Sequence, residues 1–460
     1  MAKIQARPKA DRAEDHVNPF ETLASIIQRL PSEARWLYAQ QEVIRAIAQG
    51  SAPVRGRWGA RADRIVAWSL RLGVARAAIM LGTLWLSFLV FIRQYRVSRA
   101  VDAHGVAFIG RAAMRDPALV AVFERRVGRR ALVLDETEIT SFYRCRRVRL
   151  RRLLGEWCQV WKEIWPHLSQ SEVGGFDLRY CLSGVLTRLD RFVYLRAWLR
   201  DYCRLGGTPV VGVSAASHVS YAAVAAGAHV IYLPHGFQAR SLVLPDFAEI
   251  VSFNRFETEH FLRRLPGTEV TMPPPSRGFI ETERIAAIAG DYWQPEDFDL
   301  CRTFIEWARQ HDVPVVVRPH PQDLSGYWQR WRGVAGISFD DTPCDFDTFL
   351  QRNRPRLLVT WTSTTIFDAV VRGVVPVTLA GDRFDDADFV FPYWQIALQW
   401  PKAIAEIASL VDQPEACRRL TREKTCDLTG FPSPAGPAAP RGSIAAPPTE
   451  EDYPTPLRLL

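Results

Sequence analysis

Apolar positions along most of the chain alternate between two rhythms, short continuous runs and stretches with helical spacing. Runs at residues 105–110, 131–138, 209–214, 229–236 and 249–254 read as buried strands. Helical patterns at 117–127, 186–205 and 218–226 lie between them, which predicts a parallel α/β sheet. Met272-Pro273-Pro274-Pro275 breaks the periodicity and predicts a linker. Beyond it the alternation resumes, with helices at 299–310, 345–352, 364–372 and 402–411 and strands at 313–321, 336–340, 356–360 and 374–379. The pattern predicts an α/β chain with two Rossmann-like domains in tandem, over 101–271 and 276–428. A helical extension over 1–100 precedes them, and a Pro- and Ala-rich tail over 429–460 is expected to be disordered.

Within the extension a helix is expected around 31–49, and residues 65–92 form the most apolar segment. Its uncharged part, 77–92, is shorter than the ~20 residues a spanning helix needs. Arginines flank it on both sides, Arg55, Arg57, Arg61 and Arg64 before and Arg93, Arg96 and Arg99 after. That symmetry predicts a helix lying in the membrane interface, with Trp68 and Trp85 as anchors, rather than one that crosses. The competing expectation is a buried helix covering the first sheet.

Composition narrows the picture in three ways. A 48% apolar content across 460 residues is ample for two cores, and a formal charge of +8 suits an anionic partner, here an anionic membrane surface or a phosphate-bearing substrate. Nucleic acid is not expected, because the arginines cluster around the apolar segment without a recognition motif. The eight cysteines show no zinc spacing and read as reduced thiols. Asp382, Asp385, Asp386 and Asp388 lack the spacing of a calcium loop, so no metal site is expected. The basic, polar start lacks a secretory signal, which places the chain on the cytoplasmic side.

Chemistry concentrates where strands end, the edge at which wound α/β sheets bind ligands. Arg318-Pro319-His320-Pro321 closes one strand, and the strand at 356–360 runs into Trp361-Thr362-Ser363-Thr364. Hydroxyls and free N–H groups at a strand-to-helix turn suit a diphosphate. The plain alternatives are a rigid turn and a helix cap. In the first domain Leu233-Pro234-His235-Gly236 ends a strand, and the glycine keeps the approach to the imidazole open. Ser214, Ser217 and His218 sit at another turn, with N-capping as the default.

The combination of RPHP (318–321), DTFLQ (347–351) and RLLVTWTSTTIFDAVVRGVVPV (356–377) resembles the C-terminal half of the CDP-glycerol glycerophosphotransferases. It is also similar to the motifs of bacterial capsule polysialyltransferases, both of the GT-B fold class. That resemblance, over roughly 233–411, implies donor binding by Arg318, His320, Ser363 and Thr364, and a candidate base in His235. An unperturbed imidazole suits proton removal from an acceptor hydroxyl near neutral pH. Asp135 and Glu136 are the alternative carboxylate bases, Arg240 and Arg277 possible phosphate contacts. Trp361 stands where the glycerophosphotransferases tend to have an acid. The function implied is metal-independent, cofactor-free transfer of a sugar from a nucleotide-sugar donor to a capsular or surface polysaccharide or lipid-linked glycan, by inversion. A glycerophosphotransferase, a sugar-nucleotide epimerase and a non-enzymatic envelope scaffold are the alternatives.

Overall fold

The computed structural model describes residues 24, 27–30, 32–38, 73–97, 106–110, 117–135, 150–169, 178–204, 208–234, 236, 238–240, 242–272, 278–289, 297–320, 326–342, 344–361, 363–379, 390–391 and 393–430. Expectations for Trp68, Glu136, His235, Arg277, the three linker prolines, the aspartates of 382–388 and the tail beyond Gly430 lie outside these residues.

The first sheet contains β1 (Val106–Gly110), β2 (Leu132–Asp135), β3 (Val210–Val213), β4 (His229–Tyr232), β5 (Glu249–Val251) and β6 (Glu269–Thr271). Every pairing is parallel, and the order is β2-β1-β3-β4-β5-β6. Burial on both faces explains the continuous apolar runs. Gly212 in β3 is required by close packing, since a Cβ there would sit 2.7 Å from both Phe108 and Phe123.

Against this sheet stand α1 (Gly73–Val97), α2 (Pro117–Val127), α3 (Leu150–Ser169), α4 (Leu178–Arg204), α5 (His218–Ala225) and α6 (Arg255–Arg264). Residues 192–199 of α4 are all buried, because α1, α3 and α5 surround it. A helix apolar on one stripe only could not fill that position. Its Arg196, 1% exposed, is matched by Glu156 (2.9 Å) and Glu163 (2.6 Å) of α3, so the buried charge is compensated. In the extension, a helical turn at Ser32–Arg35 and a 3₁₀ turn at Trp36–Tyr38 fall within the helix expected around 31–49, of which 31 and 39–49 lie outside the described residues.

The second sheet has β7 (Glu283–Ala289), β8 (Val315–Arg318), β9 (Ile337–Phe339), β10 (Pro355–Thr360), β11 (Val375–Thr378) and β12 (Leu398–Gln399), in the order β12-β11-β10-β7-β8-β9 and again all parallel. Its helices are α7 (Asp297–Gln310), α8 (Phe346–Asn353), α9 (Thr365–Val371), α10 (Ile404–Asp412) and α11 (Pro414–Thr429). Two six-stranded parallel sheets with helices thus make up the α/β architecture.

Elements without a counterpart in the hydrophobic pattern include β6, β7, β12, α6 and α11. The reasons are physical. The ERIAAIA sequence of β7 is alanine-rich and weakly β-forming, and its place between β8 and β10 makes it a central strand. Helix α11 buries Thr421, Thr425 and Thr429 at intervals of four. Their hydroxyls donate to carbonyls one turn back, those of Cys417, Thr421 and Thr425, each at 2.8 Å.

Candidate active site

In each sheet the strand order reverses at one point, between β1 and β3 in the first and between β7 and β10 in the second. In open α/β sheets the ligand crevice lies at such a switch point, outside the carboxyl ends of the strands. Beyond β10, Trp361 is buried in the second core and its carbonyl accepts from Thr378 Oγ1 at 3.2 Å. The indole at the position of the missing acid is therefore a packing residue.

Ser363 and Thr364 follow at the switch point, half-buried. Ser363 Oγ accepts from the Thr365 N–H at 3.3 Å, while Thr364 makes no capping bond with its side chain. The N–H groups of Ile366 and Phe367 donate to the carbonyls of Ser363 (3.2 Å) and Thr364 (2.9 Å). This tight first turn corrects the expectation of several free N–H groups, because it satisfies them internally. Hydroxyls are what the site offers a ligand. Next to them, the Oγ1 atoms of the fully buried Thr360 and the half-buried Thr365 are shielded and lack a hydrogen-bond partner among the described residues.

Arg318 ends β8. Its guanidinium donates to the carbonyls of Cys344 and Asp345 and lies over the rings of Phe346 (5.7 Å) and Phe349 (5.2 Å). In this structure it clamps β8 to the start of α8. His320 lies two residues further on, half-buried at the same edge. With β7 between β8 and β10, and neighbouring strands ~4.8 Å apart, the ends of the two strands are roughly 10 Å apart. Asp347, of the DTFLQ motif, is held bidentately by Arg372 (Nη2 to Oδ2 2.6 Å), tying α8 to the end of α9.

At the carboxyl edge of the first sheet, the segment after β4 is held by a buried polar chain. Tyr232 donates to Gln238 Oε1 at 2.7 Å, and Gln238 Nε2 donates to the Gly236 carbonyl at 2.6 Å. The Gln238 N–H donates to Glu257 Oε1 at 2.9 Å. Glu257 has no exposed surface and stands in the first turn of α6, its own N–H donating to the N-cap Asn254 at 2.9 Å. Burial raises its pKa to about 8, against the opposing pull of the Gln238 N–H and the Asn254 side chain. On the same helix, burial drives His260 down to about 3, helped by Arg264, Arg263 and Arg240.

The same edge meets the second sheet's unit. Val390 N–H donates to the Gln238 carbonyl at 2.9 Å, and Phe253, just past β5, lies 6.4 Å from Phe367 in the first turn of α9. Phe256 packs against a cluster of Ile366, Val370, Phe391 and Leu428. These contacts put the carboxyl edge of β4 and β5 opposite the start of α9, and so opposite Ser363 and Thr364.

Other expected residues fall elsewhere. Asp135 ends β2, an edge strand three places from β4, so it stands roughly 14 Å from the β4 end. Arg240 is half-buried, and its carbonyl accepts from Arg264 Nη1 at 2.6 Å. Ser217 takes the capping role, accepting from the Val219 N–H at 3.2 Å within a capping box shared with Ser220. Glu257 and Gln238 escaped sequence reasoning. Asn254 followed by Glu257 has the spacing of a helix-start signal, but nothing in it announces a fully buried carboxyl.

No family model matches the chain, and no curated protein matches it. Among solved structures the chain is similar to UDP-GlcNAc 2-epimerase from Neisseria meningitidis bound to UDP-GlcNAc (11% identity, 69% of this chain and 93% of that one, TM-score 0.42). It is also similar to MurG from Acinetobacter baumannii (11% identity, 70% and 95%, TM-score 0.39). A Thermobaculum terrenum O-GlcNAc transferase mutant covers more of the chain (13% identity, 88% and 80%, TM-score 0.34).

Proposed function

We propose that the chain is a glycosyltransferase that moves a sugar from a nucleotide-sugar donor to a surface polysaccharide or glycolipid acceptor, working peripherally at the cytoplasmic face of a bacterial inner membrane. The observation that carries this reading is the meeting of two carboxyl strand edges, one rich in hydroxyls with His320 beside it, the other carrying the segment after β4, where Glu257 accepts from the Gln238 N–H. A donor in that crevice would set its phosphates against His320, Ser363 and Thr364, with Arg277 and Arg240 as further cations. Leaving-group charge would be met by hydroxyls and basic groups already in place. The acceptor hydroxyl oxygen attacks the anomeric carbon, the bond to the phosphate oxygen breaks, and His235 takes the acceptor proton. Attack opposite the departing phosphate inverts the carbon. In this scheme neither a metal nor another cofactor takes part.

The test is a melting-temperature screen of the full chain with CMP, CDP, UDP and GDP, repeated on His320→Ala. A ligand that binds only the folded state raises the midpoint. One nucleotide should do so in the wild type and lose most of the effect in the variant; no shift with any of them would defeat the reading. Product analysis then separates the alternatives. Transfer from CDP-glycerol would make the enzyme a glycerophosphotransferase, and conversion of a free UDP-sugar without acceptor would make it an epimerase.

A further inference from the structure

Helix α1 is mounted inside out. Among its residues with described side chains, the exposed positions recur at helical spacing and are all apolar or glycine, with Leu81 58% exposed, Trp85 62%, Leu86 49% and Leu89 46%. The polar side chains of the same stretch face inward instead. Thr83 and Ser87 are buried, their hydroxyls donating to the carbonyls of Ile79 at 2.9 Å and Leu84 at 2.8 Å. A helix whose outer face met only water would favour the reverse arrangement.

The helix is firmly seated, since it packs along α4 and Phe88 lies 5.3 Å from Trp157 of α3. The aromatic row continues from Trp157 to Trp161 (6.0 Å) and Trp165 (6.3 Å), and Trp165 is 40% exposed. The row runs through the core, since Trp161 is buried, and links the exposed apolar side chains of α1 to a second exposed indole at Trp165.

Charge selects its occupant. The sequence of α1 holds no Asp or Glu, and its arginines, Arg76, Arg93 and Arg96, lie toward its ends. On α3, Arg151 and Lys162 are exposed. Exposed apolar side chains and indole rings, on a helix whose sequence carries arginines and no acid and beside the exposed Arg151 and Lys162 of α3, match the boundary between acyl chains and anionic headgroups. No described helix is long and apolar enough to cross a membrane, and α1 keeps its other side on α4. A second copy of the chain would bring like-charged arginines together instead.

We propose that the outward face of α1, continued by Trp165, docks onto an anionic lipid bilayer. The inference deepens the transferase reading by naming its surface partner, and rests on that reading for its purpose only. The test uses the full chain in flotation with phosphatidylcholine vesicles, with and without phosphatidylglycerol, against the variant Leu81→Gln/Trp85→Gln/Leu89→Gln. These side chains are exposed, so the variant should melt no lower than the wild type. The wild type should float with anionic vesicles, and the variant should lose about tenfold or more in partitioning. Arg151→Glu/Lys162→Glu should weaken binding to anionic vesicles most and flatten its salt dependence.

Failure of the wild type to float, or flotation of the Gln variant at the wild-type level, would overturn the proposal. So would a wild-type dimer that the Gln variant converts to monomer without any effect of lipid. Nucleotide-induced melting shifts, measured on the same proteins, report on the transferase reading alone and should be equal in wild type and Gln variant.

Discussion

A carboxyl group sealed from water holds its proton far longer than one in the unfolded chain, and Glu257 shows what this does to stability. Unfolded, it ionises near 4.5; folded, near 8. Between those values the folded state binds the extra proton, so the Glu257 contribution to stability is fully present below about pH 4.5 and is lost as pH rises toward 8. His260 acts oppositely. Its folded value near 3 lies below the ordinary 6.5, so its contribution is present above 6.5 and is lost as pH falls. Glu257→Gln keeps an acceptor for the Gln238 N–H and removes the titration. Urea midpoints of this variant should gain on the wild type as pH rises from about 5 to about 8; parallel profiles would show that Glu257 is not buried as a neutral acid. Arg318 and His320 differ in the same local way. Arg318→Ala should lower stability by about 1–3 kcal/mol, because two carbonyls lose a charged donor and two rings lose their cover. Calorimetry on that variant should show the loss, whereas His320→Ala is read in the nucleotide screen. The sequence placed both residues at a strand end, but the loop partners that occupy the Arg318 guanidinium come from 26 and 27 residues away and leave no local trace.

Among the elements, legibility follows burial. Strands β1, β3, β4, β8, β10 and β11 are Val- and Ile-rich or otherwise continuously apolar, and their periodicity names them. Strand β7 was hidden by its alanines and α11 by its threonines, since both bury surface through residues that hydropathy ranks as neutral. Gly212 tests how closely β3 is packed. Gly212→Ala should cost about 1–3 kcal/mol, because the new methyl group meets Phe108 and Phe123 at 2.7 Å with no room to retreat. A thermal midpoint within error of the wild type would mean that Phe123 swings aside freely.

For the whole molecule, the described joint between the units is largely aromatic, with α6 packed against α11. Phe253, Phe256 and Phe367, with the Val390–Gln238 hydrogen bond, supply much of what is described there. Phe256→Ala/Phe367→Ala should therefore weaken coupling more than either core, and scanning calorimetry should resolve two transitions or a broadened one. A single unbroadened transition with an unchanged midpoint would show that the joint lies elsewhere. Tandem wound sheets could be inferred from the alternation of patterns, whereas strand order could not, because periodicity carries no information about which strand lies beside which. That order has a consequence during synthesis. The two central strands of the second sheet, β7 and β10, are pinned at their start by an ion pair between Glu283 and Arg354, 71 residues apart in the chain. A nascent chain on the ribosome therefore presents β7 with one side open until β10 has emerged from the exit tunnel. Slow codons a tunnel length downstream of β10 would give the pair time to close, whereas a pause just after it, with β10 still inside the tunnel, would prolong the interval in which that open side can capture another chain.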